Sequence, residues 1–199
     1  LTSTKKALSL GVYGADLSYA GLFGEHQDAI QYFTATHLIA ADIGIEQTFQ
    51  KEFISRLENN ANDKDTLLTV IGEFFLNNDR YLKNHDQKDL SYYVLAGGWI
   101  EGMYLGTTMA DTSNSTQGIR KVIASQRSSL DNLVSVLTDL RVNPEVADIV
   151  VSIEELSVLF SQLPKSSDGE EELILDDSNL LVIKDKVADI RGMIVERSN

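Results

Sequence analysis

Five small residues recur along one side of the first apolar stretch: Ala7, Gly11, Gly14, Ser18 and Gly21, at spacings of four, three, four and three. That period traces a single face of an α-helix. Each glycine inside a helix costs about 1 kcal/mol relative to alanine, so three on one stripe need a compensating gain. A stripe without side chains supplies it. Another backbone can approach at the lower end of the usual interhelical distance of about 8–10 Å. The second such series, Gly98, Gly102 and Gly106, repeats every four residues and is the expected partner of the first. On that expectation, Gly14→Leu overpacks the contact at a cost of at least about 1–3 kcal/mol.

The remainder of the chain is written for helices as well. Two prolines among 199 residues leave long segments uninterrupted. Apolar residues three and four apart predict helices over 4–22, 25–43, 46–60, 64–84, 88–111, 116–140 and from Pro144 to Leu163. Ile30, Phe33, Thr34, His37, Leu38 and Ala41 are the expected buried face of the second of these. Gly24 and Gly44 stand where helices end. Asn62 or Asp63 can cap the helix that follows them, and Asn143-Pro144 reads as an N-cap followed by proline at the first helical position.

After Pro164 the character changes to an acidic linker, with Glu170-Glu171-Glu172 at its centre. Leu173-Ile174-Leu175 and Leu180-Leu181-Val182-Ile183 flank Asp176-Asp177-Ser178-Asn179. Two short apolar runs around a turn suggest a small hairpin, or one strand leading into a helix. A last helix buries Val187, Ile190 and Ile194. The fold class is therefore all-α: an antiparallel bundle of about seven to eight helices with a small C-terminal β-hairpin. Residues 1–164 form the bundle. Residues 165–199 are the linker, the hairpin and a final helix that packs on the bundle within one domain.

The formal charge of −13, with no basic run longer than Lys5-Lys6, disfavours nucleic acid and anionic lipid as partners. There are no cysteines, which removes thiolate metal sites and thiol nucleophiles. No apolar run approaches the length of about 18 residues that spans a bilayer. Phosphate-binding glycine loops, the nucleophile elbow, the H-E-x-x-H zinc motif and the calcium loop are all missing from the sequence. Three histidines, His26, His37 and His85, show no ligand spacing. No cofactor, no catalytic residue and no metal ligand is assigned.

What stands out chemically is a repeated acid with a tyrosine three residues later: Asp16 with Tyr19, and Glu101 with Tyr104. Each tyrosine lies one helical turn beyond its acid and within reach of it. Two carboxylates on helices that meet could exchange protons or hold a cation. The plainer alternative is that each acid only fixes helix packing. His37 is either a proton carrier beside Asp16 or a core histidine. Tyr13, Trp99 and Tyr92 either border an apolar pocket beside the glycines or are ordinary core. The candidate ligand-binding set is Tyr13, Asp16, Tyr19, His37, Trp99, Glu101 and Tyr104.

Four segments carry a resemblance: Leu10 to Tyr19 as L-G-x-Y-G-A-D-L-x-Y, Leu38 to Ile45 with Ile43 in place of a usual leucine, Asn60 to Leu67 as N-x-x-x-K-D-S/T-L, and Ala96 to Tyr104 as A-G-x-W-I-E-G-x-Y. Together they resemble an uncharacterised family of exported bacterial helical proteins, many made as lipoproteins. The likeness covers most of residues 7–140 and is looser in the tail. It implies a helical domain, an N-terminal signal and lipid-attachment cysteine ahead of Leu1, and a periplasmic or membrane-anchored setting. It transfers no catalytic residue.

Three functions follow. The first is a non-enzymatic envelope protein that binds a protein partner or a small ligand at the glycine–aromatic–acid centre. The second is a metal-dependent hydrolase using Asp16 and Glu101. The third is a purely structural helical module.

Overall fold

The computed structural model describes residues 1–45, 55–56, 63–112, 117–165 and 173–195. Its regular elements are α1 (Ser3–Phe23), α2 (His26–Asp42), α3 (Lys64–Asn84), α4 (Lys88–Thr112), α5 (Gln117–Ser125), α6 (Arg127–Leu137), a 3-10 helix (Thr138–Val142), α7 (Ala147–Ser161) and α8 (Asp177–Val195). All are helical, so the all-α class holds among the described residues. None is long and apolar enough to cross a membrane. The chain divides into two compact units, Leu1–Trp99 and Ile100–Asn199, with the dividing point inside α4. The helix expected over 46–60 lies outside the described residues except at Ser55 and Arg56, as does the acidic run 170–172.

In the first unit α1 is the central element. Residues Ala7 to Val12 are buried without a break, and Gly14, Leu17, Ala20 and Gly21 continue the burial. A helix enclosed on all sides needs no amphipathic pattern, which is why small and large residues alternate around it. Thr2 caps its start, the side chain accepting from the Lys5 amide at 3.4 Å. Gly24 ends it with φ 74°, a left-handed conformation that favours glycine, and its amide donates to the Ala20 and Gly21 carbonyls. The chain reverses there and α2 packs back along α1.

The face that α2 buries differs from the expected one. Thr36 and Ala40 are fully buried, while Ile30 and Leu38 are 66% and 62% exposed. Apolar residues occur on more than one side of this helix, so period alone does not select the face. The small Thr36 and Ala40 side chains are the ones that admit close packing.

The expected close approach of glycines to backbone occurs, in a modified form. A Cβ on Gly11 would lie 2.0 Å from the Val94 carbonyl oxygen and 2.5 Å from the Gly98 nitrogen. One on Gly97 would lie 2.0 Å from the Leu8 carbonyl oxygen. Backbone therefore meets backbone between α1 and the first half of α4. Gly14 and Gly21 instead face α3: their added Cβ atoms would meet the Phe75 ring at 2.0 Å and Leu67 at 2.7 Å. Gly98, Gly102 and Gly106 do not act as one stripe. Nothing lies within 4 Å of a Cβ on Gly102, and one on Gly106 would make ordinary contact with Ile123 at 3.7 Å. Contact falls on the adjacent pair Gly97-Gly98 because one close crossing occupies about one helical turn.

In the second unit, the single helix expected over 116–140 is three pieces: α5, α6 and the 3-10 helix. At the first break Ser125 donates its hydroxyl to the Val122 carbonyl at 2.7 Å and the Gln126 amide bonds back to Ile123. Such side-chain competition bends helices. Helix α7 starts at Ala147, later than Asn143-Pro144 suggests. Asn143 forms a turn instead, its side chain accepting from the Glu145 amide at 3.1 Å.

The C-terminal hairpin is not formed. Leu173 makes only an isolated bridge with Lys165, and Leu180 to Ile183 lie inside α8. The reason is visible in the residues between the two apolar runs. Asp176 accepts from the Asn179 amide at 2.8 Å, an N-cap interaction that starts a helix. Leu180, Ile183, Val187, Ile190 and Ile194 then continue at three- and four-residue spacing and are all buried. This helix packs on α7, whose Ile149, Val150, Ile153, Leu156 and Phe160 are buried as their spacing predicts.

Candidate functional site

In the first unit, α1, α3 and α4 enclose a cleft of about 380 Å³. Its position follows from the small residues. Gly11, Gly14, Ala15 and Ser18 form the α1 wall, and the volume their missing side chains leave is bordered by Phe75 and Leu82 of α3 and by Val94, Leu95, Gly98 and Trp99 of α4. The size lies within the range of small-molecule sites, about 300–1,000 Å³, and the wall is mostly apolar as such sites are.

The polar groups in this wall are few. Asn78 is 1% exposed, and neither its side-chain oxygen nor its nitrogen has a hydrogen-bond partner among the described residues. The Trp99 indole N–H is buried and likewise unpartnered. A buried amide without partners carries a desolvation cost of roughly 1–3 kcal/mol. Helix position explains how Asn78 comes to be there: it occupies the core register of α3, following Leu67, Ile71 and Phe74 and preceding Leu82.

Asp79 and Ser91 stand beside Asn78. Ser91 donates its hydroxyl to Asp79, and Lys83 lies 2.9 Å from the same carboxylate. Burial pushes the Asp79 pKa up, but the hydroxyl and the Lys83 ammonium outweigh it, leaving the carboxyl below its ordinary value. The cleft thus has a carboxylate held ionised at its polar end.

Of the residues singled out in the sequence, Trp99 lines this cleft. The others in the first unit do not. Tyr13 and Tyr19 make ring contacts with Tyr32 at 6.3 Å and Phe23 at 4.5 Å. Asp16 is half-buried on α1, and His37, also half-buried, stacks on Phe33 at 6.4 Å within α2. What the sequence reading missed is the α3 contribution: Phe75, Asn78, Asp79 and Leu82. One signal was present, a lone asparagine in an otherwise apolar register, since a buried polar residue is the informative kind.

Glu101 and Tyr104 belong to the second unit and share one partner. Glu101 is 1% exposed and accepts from the Arg191 Nε at 2.6 Å, while the Arg191 guanidinium lies 4.4 Å from the centre of the Tyr104 ring. The second carboxylate oxygen of Glu101 is buried and has no hydrogen-bond partner among the described residues. This acid and tyrosine converge on an arginine of α8 and tie that helix to α4. Among the described residues no three histidine, aspartate or glutamate side chains gather as a cation site.

No protein-family model, curated protein or solved structure matches this chain.

Proposed function

We propose that the protein is a non-enzymatic, ligand-binding helical module of the bacterial cell envelope, whose site is the cleft between α1, α3 and α4. The envelope setting, periplasmic or lipid-anchored, rests on the sequence resemblance. The binding role rests on one observation: a mostly apolar cleft of about 380 Å³, within the size range of small-molecule sites, with the hydrogen-bonded pair Ser91 and Asp79 in its wall. Sites of this kind take an apolar body against such a wall and use the few polar groups to fix its orientation.

Trp99 is the only tryptophan in the chain and lines the cleft, so its fluorescence reports on the site alone. Titration with a panel of small neutral aromatic and aliphatic compounds should change that emission saturably for some members. Ala15→Phe, which fills the cleft from α1, should abolish the response while circular dichroism stays unchanged. A panel with no saturable response in the wild-type protein would refute the ligand-binding reading.

A further inference from the structure

Resting on the reading of this cleft as a ligand site, we infer that its ligand is a small monocation, an ammonium group on an apolar body, which pairs with the Asp79 carboxylate.

The inference follows from the charge of the wall. Among the described residues that line the cleft, Asp79 alone is ionisable. Phe75, Asp79 and Leu82 fall at spacings of four and three, so one face of α3 carries the carboxylate between two apolar side chains. The Asp79 side chain keeps 37% of its surface accessible. Lys83 and Arg80, the cations that act on this carboxylate, are not part of the wall.

The partners that Asp79 already has do not close it to a ligand. A carboxylate offers about four lone-pair sites, and one Ser91 hydroxyl and one Lys83 ammonium do not fill them. Ser91 is 5% exposed, so its hydroxyl fixes the carboxylate from the protein side. Lys83 is 46% exposed and one helical turn from Asp79, and such pairs are weak enough for a second cation to share or displace.

The other ligand classes fit less well. An anion would meet a like charge in a partly desolvated site. A neutral hydroxyl could donate to the carboxylate, but an ionised donor makes a bond about twice as strong. The net charge of −13 draws cations towards the chain and does nothing for a neutral molecule. Leu82, Val94 and Leu95, with the bare α1 surface, take the apolar body.

Phenethylammonium, phenethyl alcohol and phenylacetate separate these classes, because they share one ring and differ in the charge of the group it carries. Each is titrated near neutrality against the Trp99 fluorescence of the wild type, Asp79→Asn and Lys83→Gln, with circular dichroism as the check on folding. In the wild type, phenethylammonium should bind about tenfold or more tighter than either of the others, as expected for a hydrogen bond to a charged group. Asp79→Asn should erase that advantage. Lys83→Gln removes a competing cation from outside the wall and should tighten phenethylammonium about twofold to fivefold, the strength of an exposed ion pair expressed as a ratio.

Phenethyl alcohol binding as tightly as phenethylammonium would overturn the pairing with Asp79 while leaving the cleft a ligand site. So would phenethylammonium binding that is unmoved by Asp79→Asn or not tightened by Lys83→Gln. Phenylacetate binding tightest would overturn the cationic class. Silence from all three, with a response to other members of the wider panel, would refute this inference and spare the binding role. Silence from these three and from the whole panel would remove both.

Discussion

The Gly11 Cα and the Val94 carbonyl stand so close that a methyl group on Gly11 would sit 2.0 Å from the oxygen. Both partners are backbone, so neither can rotate away. Gly11→Ala must therefore displace α1 from α4. The overpacking cost of about 1–3 kcal/mol exceeds the gain of about 1 kcal/mol from replacing a helical glycine. Thermal unfolding should shift down by several degrees, at about 2–4 °C per kcal/mol for a chain of this length. Gly72→Ala in α3, where an added methyl meets nothing within 4 Å, should shift it upward. A Gly11→Ala protein as stable as Gly72→Ala would show that the two backbones do not touch.

Gly14 makes a milder contact. Its added methyl would strike the Phe75 ring at 2.0 Å, a side chain that can turn, although the turn moves a wall of the cleft. Gly14→Ala should thus cost less stability than Gly11→Ala and alter Trp99 emission more. Melting temperature and fluorescence of the two variants, measured side by side, check both halves. A larger melting loss for Gly14→Ala would contradict the placement of Gly14 against a movable ring.

The small-residue stripe on α1 was legible because a 3.6-residue period is written in composition alone. So was the existence of a close backbone contact. Which glycines make it was not. Gly97-Gly98 and Gly98-Gly102-Gly106 are equally bare in sequence, and the crossing point is where the Val94 carbonyl meets Gly11 and the Leu8 carbonyl meets Gly97. The candidate site was half legible for the same reason. Trp99 advertised itself as an aromatic beside glycines, whereas Asn78 is meaningful only once α3 is known to face α1. The C-terminal hairpin failed on a local conflict: Leu180-Leu181-Val182-Ile183 reads as a strand by itself, but the Asp176 cap and the onward spacing to Ile194 make it a helix.

Arg191 neutralises a glutamate that has almost no contact with water. Its removal strands that charge. Breaking a buried pair from one side costs about 3–5 kcal/mol, and Arg191→Met should fall near 3 because the arginine itself keeps 29% of its side-chain surface in water. Glu101→Leu combined with Arg191→Met should recover most of the loss, since two apolar residues need no partner. Denaturant unfolding of the single and double variants measures it. A double variant no more stable than Arg191→Met would show that the cost lies in packing against Tyr104 and not in the stranded charge.

Asp79 links the cleft to pH. Burial raises its pKa, yet the Ser91 hydroxyl and the Lys83 ammonium, with a lesser contribution from Arg80, bring it below the ordinary value of 3.8. The folded chain therefore binds this proton less tightly than the unfolded chain, and the ionised carboxylate favours folding. That contribution is fully present above the unfolded value of 3.8 and is lost as pH falls through the lower, folded value. Asp79→Asn, which cannot ionise, should be less stable than the wild type near neutrality, and the gap should close as the solution is acidified below pH 3.8. Urea unfolding of both proteins at a series of pH values reads the gap directly. A difference that stays constant through the acid range would mean that the Ser91 and Lys83 contacts do not hold the carboxylate in its ionised form.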